Sequence, residues 1–386
     1  MRLPVDPVAD ACAGFRERFG EDPAWVSRAP GRFNIIGEHV DYHGGLVLPV
    51  AIDRVVSACL TPGPGDIWDV LATVPGDDSD LGDDAMGWAR YVRGCLREAR
   101  RRGLPVGGGR MTISGNVPLG GGLSSSAALE MAVLRVLDAA WDWRMGPTEL
   151  AMMAQQVEMV EVGVACGAMD QLASALGQRD HALAIDCATL EHRPVGLGLE
   201  ATHAWVILDS GVPRTLAGVG YNQRRAEGEG ALAMLNRLLA TDHRWLSAWQ
   251  TLDGLPLDAL PEVLARRVRH VITENARVRE TVAALERRDA AAVGQLLKDA
   301  HHSLAVDYEV SCPELDLLVQ TAGGLPGVEG ARLTGAGFGG CAVALVRHEA
   351  LEDLSRALPG VARQTGTAVT MMVCATAEGA SVRSGK

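Results

Sequence analysis

A glycine loop running straight into a long apolar helix constrains this chain more than any other feature. Asn116-Val-Pro-Leu-Gly-Gly-Gly-Leu-Ser-Ser-Ser-Ala-Ala128 leads into Leu-Glu-Met-Ala-Val-Leu-Arg-Val-Leu-Asp-Ala-Ala140. The second part is alanine- and leucine-rich, with good helix propensity. The serines stand where a helix N-cap belongs. Gly120, Gly121 and Gly122 let the backbone approach a ligand and turn its N–H groups inward. A helix N-terminus offers free N–H groups and a positive dipole end, so the loop Gly120–Ser126, with Leu123, Ser124 and Ser125 inside it, is expected to cradle phosphate.

Lysine decides what kind of phosphate loop this is. The chain has two lysines, Lys298 and Lys386. A Walker A loop needs Gly-Lys-Ser/Thr, and a protein kinase needs a strand lysine near its own glycine loop. Both architectures are therefore excluded. A nucleotide here has to be held by backbone dipoles, hydroxyls, a metal ion and arginine.

A second dense segment lies nearer the N-terminus: Arg28-Ala-Pro-Gly-Arg-Phe-Asn-Ile-Ile-Gly-Glu-His-Val-Asp-Tyr42. Two acceptors (Glu38, Asp41), a two-way group (His39) and a planar cation (Arg32) suit a small polyhydroxylated molecule, whose hydroxyls each donate and accept.

Length and composition bound the rest. The 386 residues suit two or three domains, and 47% hydrophobic with 22% charged residues is ordinary globular material. A formal charge of −12 argues against nucleic-acid or acidic-membrane partners. The eight cysteines are scattered without a Cys-x-x-Cys pair, which reads as free thiols in a reducing cytoplasm. No apolar run approaches membrane-spanning length, and the expected location is cytoplasmic.

Periodicity predicts strands at Val47–Ile52, Val55–Leu60, Arg110–Ile113 and Leu183–Ile185, and a helix over Pro147–Val162. Residues Asp66–Asp84 read as a surface loop. After a lapse at Glu191–Glu200 come a strand at His203–Leu208, helices at Tyr221–Leu239 and Pro261–His301, strands at Ala331–Thr334 and Cys341–Val346, a helix at Glu349–Ala357 and a strand at Ala368–Val373. That order suits a ferredoxin-like layer. The expected fold is α/β (α+β) in two domains, 1–195 and 196–386.

Three patterns mislead. Gly335-Ala-Gly-Phe-Gly-Gly340 satisfies G-x-G-x-x-G but precedes a strand-like run, so it is not a dinucleotide site. His39 and His43 sit in a glycine-broken segment unlike a helical zinc motif. His301 and His302 are adjacent on a helix and diverge.

Several ordered motifs together resemble one family. Arg28–Pro49 resembles the sugar signature of the galactokinases, Pro118–Ala128 the phosphate loop of the GHMP small-molecule kinases, and Leu333-Thr-Gly-Ala-Gly-Phe-Gly-Gly-Cys341 their third motif. Trp88–Gly94, Cys166-Gly-Ala-Met-Asp-Gln171, His181–Cys187 and Asp307–Asp316 add to the likeness, which covers roughly residues 10 to 375.

The resemblance implies an S5-like α/β N-terminal domain, a ferredoxin-like C-terminal domain and an active site in the cleft between them. It implies ATP- and Mg2+-dependent phosphorylation of galactose at C1, by a monomer or weak homodimer. A kinase for a related sugar (N-acetylgalactosamine, arabinose, galacturonate) is one alternative, and a noncatalytic galactose sensor another.

Asp170 is expected in the first turn of a helix, where the dipole favours its carboxylate form, and is the candidate proton acceptor. Arg32 is the candidate for neutralising the transferred phosphoryl group. Ser126 and Glu158 match the family's metal positions, with Ser125 and Glu161 as neighbouring alternatives. Trp88 and Tyr91 match positions near its adenine pocket, and also read as core aromatics. Glu38, His39, Val40, Asp41, Gly167, Asp170 and Tyr221 match its sugar contacts, Asp41 reading the axial 4-hydroxyl. Five positions depart from the usual pattern: Val40 for Thr, His43 for Asn, Gly211 for Asn, Gly220 for Glu and Ala336 for Gly. The losses at Gly211 and Gly220 are expected to enlarge or relax the pocket.

Overall fold

The computed structural model describes residues 6–72, 87–213 and 217–385. The first half runs α1 (Pro7–Phe19), β1 (Trp25–Asn34), β2 (Leu46–Val47), β3 (Pro49–Pro62), β4 (Trp68–Ala72), α2 (Gly87–Arg101), β5 (Gly109–Gly115), α3 (Ser125–Trp141), α4 (Pro147–Val157), α5 (Met169–Leu176), β6 (His181–Asp186) and β7 (His192–Gly196). The second runs β8 (His203–Asp209), α6 (Ala217–Leu239), α7 (Glu262–Glu286), α8 (Ala290–Val306), α9 (Pro313–Gly323), β9 (Val328–Leu333), β10 (Cys341–Arg347), α10 (Leu351–Thr365), β11 (Thr370–Val373) and β12 (Ser381–Ser384).

The described strands form three sheets. The first has the order β12-β1-β3-β5-β4, the second β11-β8-β10-β9, and the third β2-β6-β7. The second sheet is a βαββαβ layer with its four strands in the spatial order 4-1-3-2, the ferredoxin-like arrangement. β12 leaves that layer and pairs antiparallel with β1, so the far end of the chain closes an edge of the first sheet.

Strand periodicity builds two cores on the second sheet. Trp205, Ile207, Val343 and Leu345 face the main core, while Ala204, Val206, Ala342 and Ala344 face α9 and α10. The main core continues into the first half, where α3 packs on β1 and β3. Residues Ala127–Leu134 of α3 are all buried, so this helix is gripped on every side and its N-terminus is held firmly.

Some boundaries differ from the sequence expectation. The run Pro261–His301 is two helices, broken where Arg288 takes φ +57° and Asp289 caps α8 by accepting from Ala292 N–H. The expected loop Asp66–Asp84 contains β4, which pairs parallel with β5, and residues 73–84 of it lie outside the described residues. The helix expected to reach Val162 stops being α-helical at Val157, and Glu158–Val162 form a π-helical turn closed by Gly163.

Candidate active site

Arg32 is placed by a fault in its own strand. The register of β1 on β3 slips between Pro30 and Arg32, and such a bulge redirects a side chain. Gly31 fits the slip because a Cβ there would stand 2.6 Å from the Leu123 carbonyl oxygen. The buried guanidinium donates from Nε (2.8 Å) and Nη2 (2.5 Å) to Asp170 Oδ1, and from Nη1 (2.6 Å) to the Gly122 carbonyl. One planar cation therefore ties the glycine loop to the candidate base. Asp170 lies in the first turn of α5, which is anchored to β1 by the Ser174 hydroxyl donating to Pro30 C=O.

The three serines separate into different tasks. Ser124 sits at the N-cap position of α3 but with left-handed φ +58° and no capping bond. Its hydroxyl donates instead to Asp170 Oδ2 at 2.5 Å. Ser126 donates to Glu158 Oε1 at 3.1 Å, and Ser125 lines the cavity beside them. The first amide bonded back into the turn is Ala128 N–H, to Ser124 C=O. The N–H groups of Ser125, Ser126 and Ala127 precede it, at the positive end of the helix.

Glu158 and Glu161 are told apart by the π-helical turn. Glu158 turns into the cavity, taking Ser126 on Oε1 and Gln171 Nε2 (3.0 Å) on Oε2. Glu161 faces α2 and pairs with Arg93 (3.3 Å) and Arg97 (3.4 Å). Such turns recur at functional sites.

The cavity that gathers these groups has a volume of about 260 Å3 and lies between the halves. Its walls include Arg32, Glu38, His39, Asp41, Gly120, Gly122, Ser124, Ser125, Ser126, Glu158, Gly167, Asp170, Tyr221, Gly335 and Ala336. A larger groove of about 820 Å3 between β6 and α7 is lined by none of the candidate site residues. The smaller cavity, with its convergent polar groups, is the candidate site.

Five expected site residues fall elsewhere. Val40 is fully buried in the core, so its side chain does not face the cavity, although its carbonyl accepts from His43 and Gly45. Gly121 is buried against Cys341 Sγ, and Leu123 contributes its carbonyl, which accepts from Arg32 N–H. Trp88 and Tyr91 lie half-buried on α2 against the main core and do not line the cavity, although Tyr91 stands close enough to Glu158 to feel its charge.

Glu38 lines the cavity but is already heavily bonded. It is paired with Arg332 and accepts from Asn34 Nδ2 (2.6 Å), Thr334 Oγ1 (3.0 Å) and Gly335 N–H (3.0 Å). A carboxylate has about four lone-pair sites, so a sugar hydroxyl has to displace or share one of these partners. Burial pushes its carboxyl up, against the pull of Arg332. The pair also joins the halves, since Arg332 comes from β9. Nothing in the local sequence signals this partner, nor Gln171 as the support of Glu158.

Burial and the nearby Asp170 raise the Asp41 carboxyl to about 7, and the same two causes raise Glu158 to about 7. A raised carboxyl gives stability at low pH that is lost as pH rises through the folded value. Asp41→Asn is therefore expected to stabilise the ligand-free protein by about 2–4 kcal/mol near pH 8, and progressively less toward pH 5. Thermal melting across that range checks the sign; a gain that grows toward low pH contradicts it.

Gly167 fixes where Asp41 can be. A Cβ at 167 would lie 2.2 Å from Asp41 Oδ2 and 2.5 Å from Cγ. Gly167→Ala is expected to push that carboxylate aside and raise the sugar KM by at least about tenfold, with the ATP KM little changed. Steady-state kinetics with each substrate varied distinguishes this from general damage.

Packing absorbs the departures. Gly211 has φ +68°, and a Cβ there would meet Ala368 backbone oxygen at 2.6 Å. At Gly220 a Cβ would meet the Phe338 ring at 2.6 Å. Neither glycine lines the cavity. The expected enlargement of the pocket is absent because backbone and an aromatic ring occupy the space. Ala336 lies outside the positive-φ residues of its loop, which explains why a side chain is tolerated there.

Comparison with known proteins agrees with this geometry. Residues 13–62 match a galactokinase galactose-binding signature, residues 90–178 the GHMP kinases N-terminal domain and residues 281–363 the GHMP kinases C-terminal domain. The chain is 41% identical to a galactokinase of Roseiflexus over 95% of its own length and 94% of the relative's. It is 40% identical to that of Chloroflexus aurantiacus, covering 96% of each. The crystal structure of Lactococcus lactis galactokinase complexed with galactose superposes with TM-score 0.88 at 32% identity, over 96% of this chain and 98% of that one. A mevalonate kinase of Methanococcus jannaschii shares the fold at TM-score 0.66 and 16% identity. Sugar signature, phosphate loop and third motif thus meet in one cavity of a two-domain GHMP fold, and the chain belongs to the galactokinase family of GHMP kinases.

Proposed function

We propose that this protein transfers the γ-phosphoryl group of ATP to the C1 hydroxyl of galactose, giving α-galactose 1-phosphate and ADP. The observation that carries the reading is the Arg32–Asp170–Ser124 constellation at the N-terminus of α3, with Asp41 in the same cavity. The phosphates lie on the Gly120–Ser126 loop, where first-turn N–H groups and the helix dipole meet them. The sugar lies toward Asp41, Gly167 and Tyr221.

The C1 hydroxyl attacks the γ-phosphorus, the bond to the bridging oxygen breaks, and ADP leaves. Asp170 orients the hydroxyl and takes its proton as the new P–O bond forms. Arg32 stabilises the charge spread over the transferred group and keeps Gly122 in place beside it. Asp41 accepts from the axial 4-hydroxyl.

The residues fit a hard divalent cation. Glu158 and Ser126 offer an oxygen pair 3.1 Å apart in a cavity whose carboxylates outnumber its one arginine. Mg2+ takes few protein ligands and completes its shell with phosphates and water. Ser126 and Glu158 would hold it, and when bound it would neutralise the phosphate oxygens.

Coupled ADP release tests the reading across galactose, 2-deoxygalactose, glucose, talose, N-acetylgalactosamine, arabinose and galacturonate. Preference for galactose and 2-deoxygalactose over glucose is expected. Turnover of a different sugar alone overturns the assignment of galactose. Sugar-dependent stabilisation without turnover of any sugar overturns catalysis and favours a sensor.

A further inference from the structure

Among the described residues, the segment after Glu38 is bonded in a way the transfer reaction does not itself require. His39 has left-handed backbone, φ +60°, although it is not glycine. That conformation costs roughly 1–2 kcal/mol for an ordinary side chain, so something must hold it. Both ring nitrogens are engaged: Nε2 lies 3.0 Å from the Ala336 carbonyl and Nδ1 lies 2.6 Å from the Tyr42 hydroxyl. The Tyr42 hydroxyl is 3.1 Å from that of Tyr308, which is 3.2 Å from His43 Nε2.

The chemistry at one end gives this row a direction. A carbonyl only accepts, so His39 Nε2 must donate to Ala336. Burial near His270, His43 and Arg224 keeps the His39 ring neutral, lowering it to about 3. Nδ1 is then a bare acceptor, and Tyr42 must donate to it. Tyr42 has no second proton, so Tyr308 donates to Tyr42 and His43 Nε2 donates to Tyr308. The row crosses between the halves three times, with Tyr308 and Ala336 from the second and the other three from the first.

We propose that His43, Tyr308 and Tyr42 are positioning residues: a one-way hydrogen-bond chain that completes the bonding of the Nε2–H form of His39 and holds the left-handed turn that aims Asp41 at the sugar. His43 fits because Gly228 leaves room for it. A Cβ at 228 would lie 2.2 Å from His43 Cε1 and 2.3 Å from Nε2. α6 carries both Gly228 and Tyr221, so the helix that admits His43 also presents the tyrosine lining the cavity. The departure at 43 is thus built into the sugar wall and matched by a second residue. The inference rests on the sugar-site reading above for its effect on KM, but not for the chain itself.

The test uses the full-length protein labelled with 15N-histidine. Long-range 1H–15N spectra, with His39 assigned by its loss in His39→Asn, are expected to show Nε2 protonated and Nδ1 bare. Tyr42→Phe removes the donor to Nδ1, and the His39 Nδ1 resonance is expected to shift toward that of an unbonded ring nitrogen, with Nε2 still protonated against Ala336. The sugar KM should rise about three- to tenfold, the size of one neutral hydrogen bond. The kcat and the ATP KM should stay within about twofold on the same reckoning. Tyr308→Phe and His43→Leu should act in the same direction, and His43→Gln, which keeps an N–H donor, should restore the wild-type behaviour. A wild-type His39 protonated on Nδ1, or present as a mixture, overturns the proposal. So does Tyr42→Phe with an unchanged Nδ1 resonance, or an equal rise in both KM values. If the wild-type protein fails to turn over galactose, the functional reading falls, and the tautomer measurement still decides the chain.

Discussion

Asp170→Asn is expected to lower kcat about a thousandfold while leaving the affinity for nucleotide within about twofold, the range for loss of a positioned proton acceptor. Asparagine is the informative replacement because it keeps an oxygen for Arg32. Alanine would leave that guanidinium, 4% exposed, without its carboxylate partner and risk a folding defect. The carboxylate is engaged on both oxygens, by Arg32 and by Ser124, yet it remains 31% exposed toward the cavity. It is therefore oriented in advance and still reachable by a substrate hydroxyl. Single-turnover kinetics beside a nucleotide-binding titration separate the two quantities. Lost nucleotide binding with normal turnover of what does bind would place Asp170 in the phosphate cradle and not beside the sugar.

Arg32→Lys is the second large effect, an expected loss of about 100- to 1,000-fold in kcat/KM, the scale for removing one pre-aimed stabilising donor. The charge survives this change, so a purely electrostatic role would survive too. What is lost is the fork. Lysine cannot reach Asp170 Oδ1 from two nitrogens and the Gly122 carbonyl from a third, as the guanidinium does at 2.5–2.8 Å. The glycine loop loses an anchor, so weaker ATP binding should accompany the slower chemistry. Activity within tenfold of wild type would show that charge alone suffices and that the tie between loop and base is incidental.

The residues of the candidate site could be picked out of the sequence because they cluster in short motifs. Arg32, Asp170, Ser126 and Asp41 lie in segments whose composition exceeds what folding requires, and the structure brings them into one cavity. The expectation failed where tertiary contacts decide. Ser124 has the composition of a cap, yet takes a left-handed backbone and gives its hydroxyl to Asp170. Local rules are broken here at a functional position, as they often are. Glu158 and Glu161 are a turn apart on any ordinary helix, and only the π-helical turn and the arginines of α2 separate them. Gly220 reads as a missing carboxylate until Phe338, distant in sequence, is seen to fill the space. Likewise Glu38 meets Arg332 only once the two halves pack together. The long helix expected over 261–301 hid a break, because a left-handed arginine carries no compositional mark.

Phosphoryl transfer to the anomeric oxygen of galactose is the step on which every assigned role depends. 31P NMR of a reaction containing the purified protein, ATP, magnesium and galactose observes that bond directly. The spectrum should show ADP and a sugar phosphate in equal amounts, coupled to the anomeric proton of an α-configured sugar. A phosphate coupled to the C6 protons, or inorganic phosphate alone, would contradict the placement of C1 against Asp170.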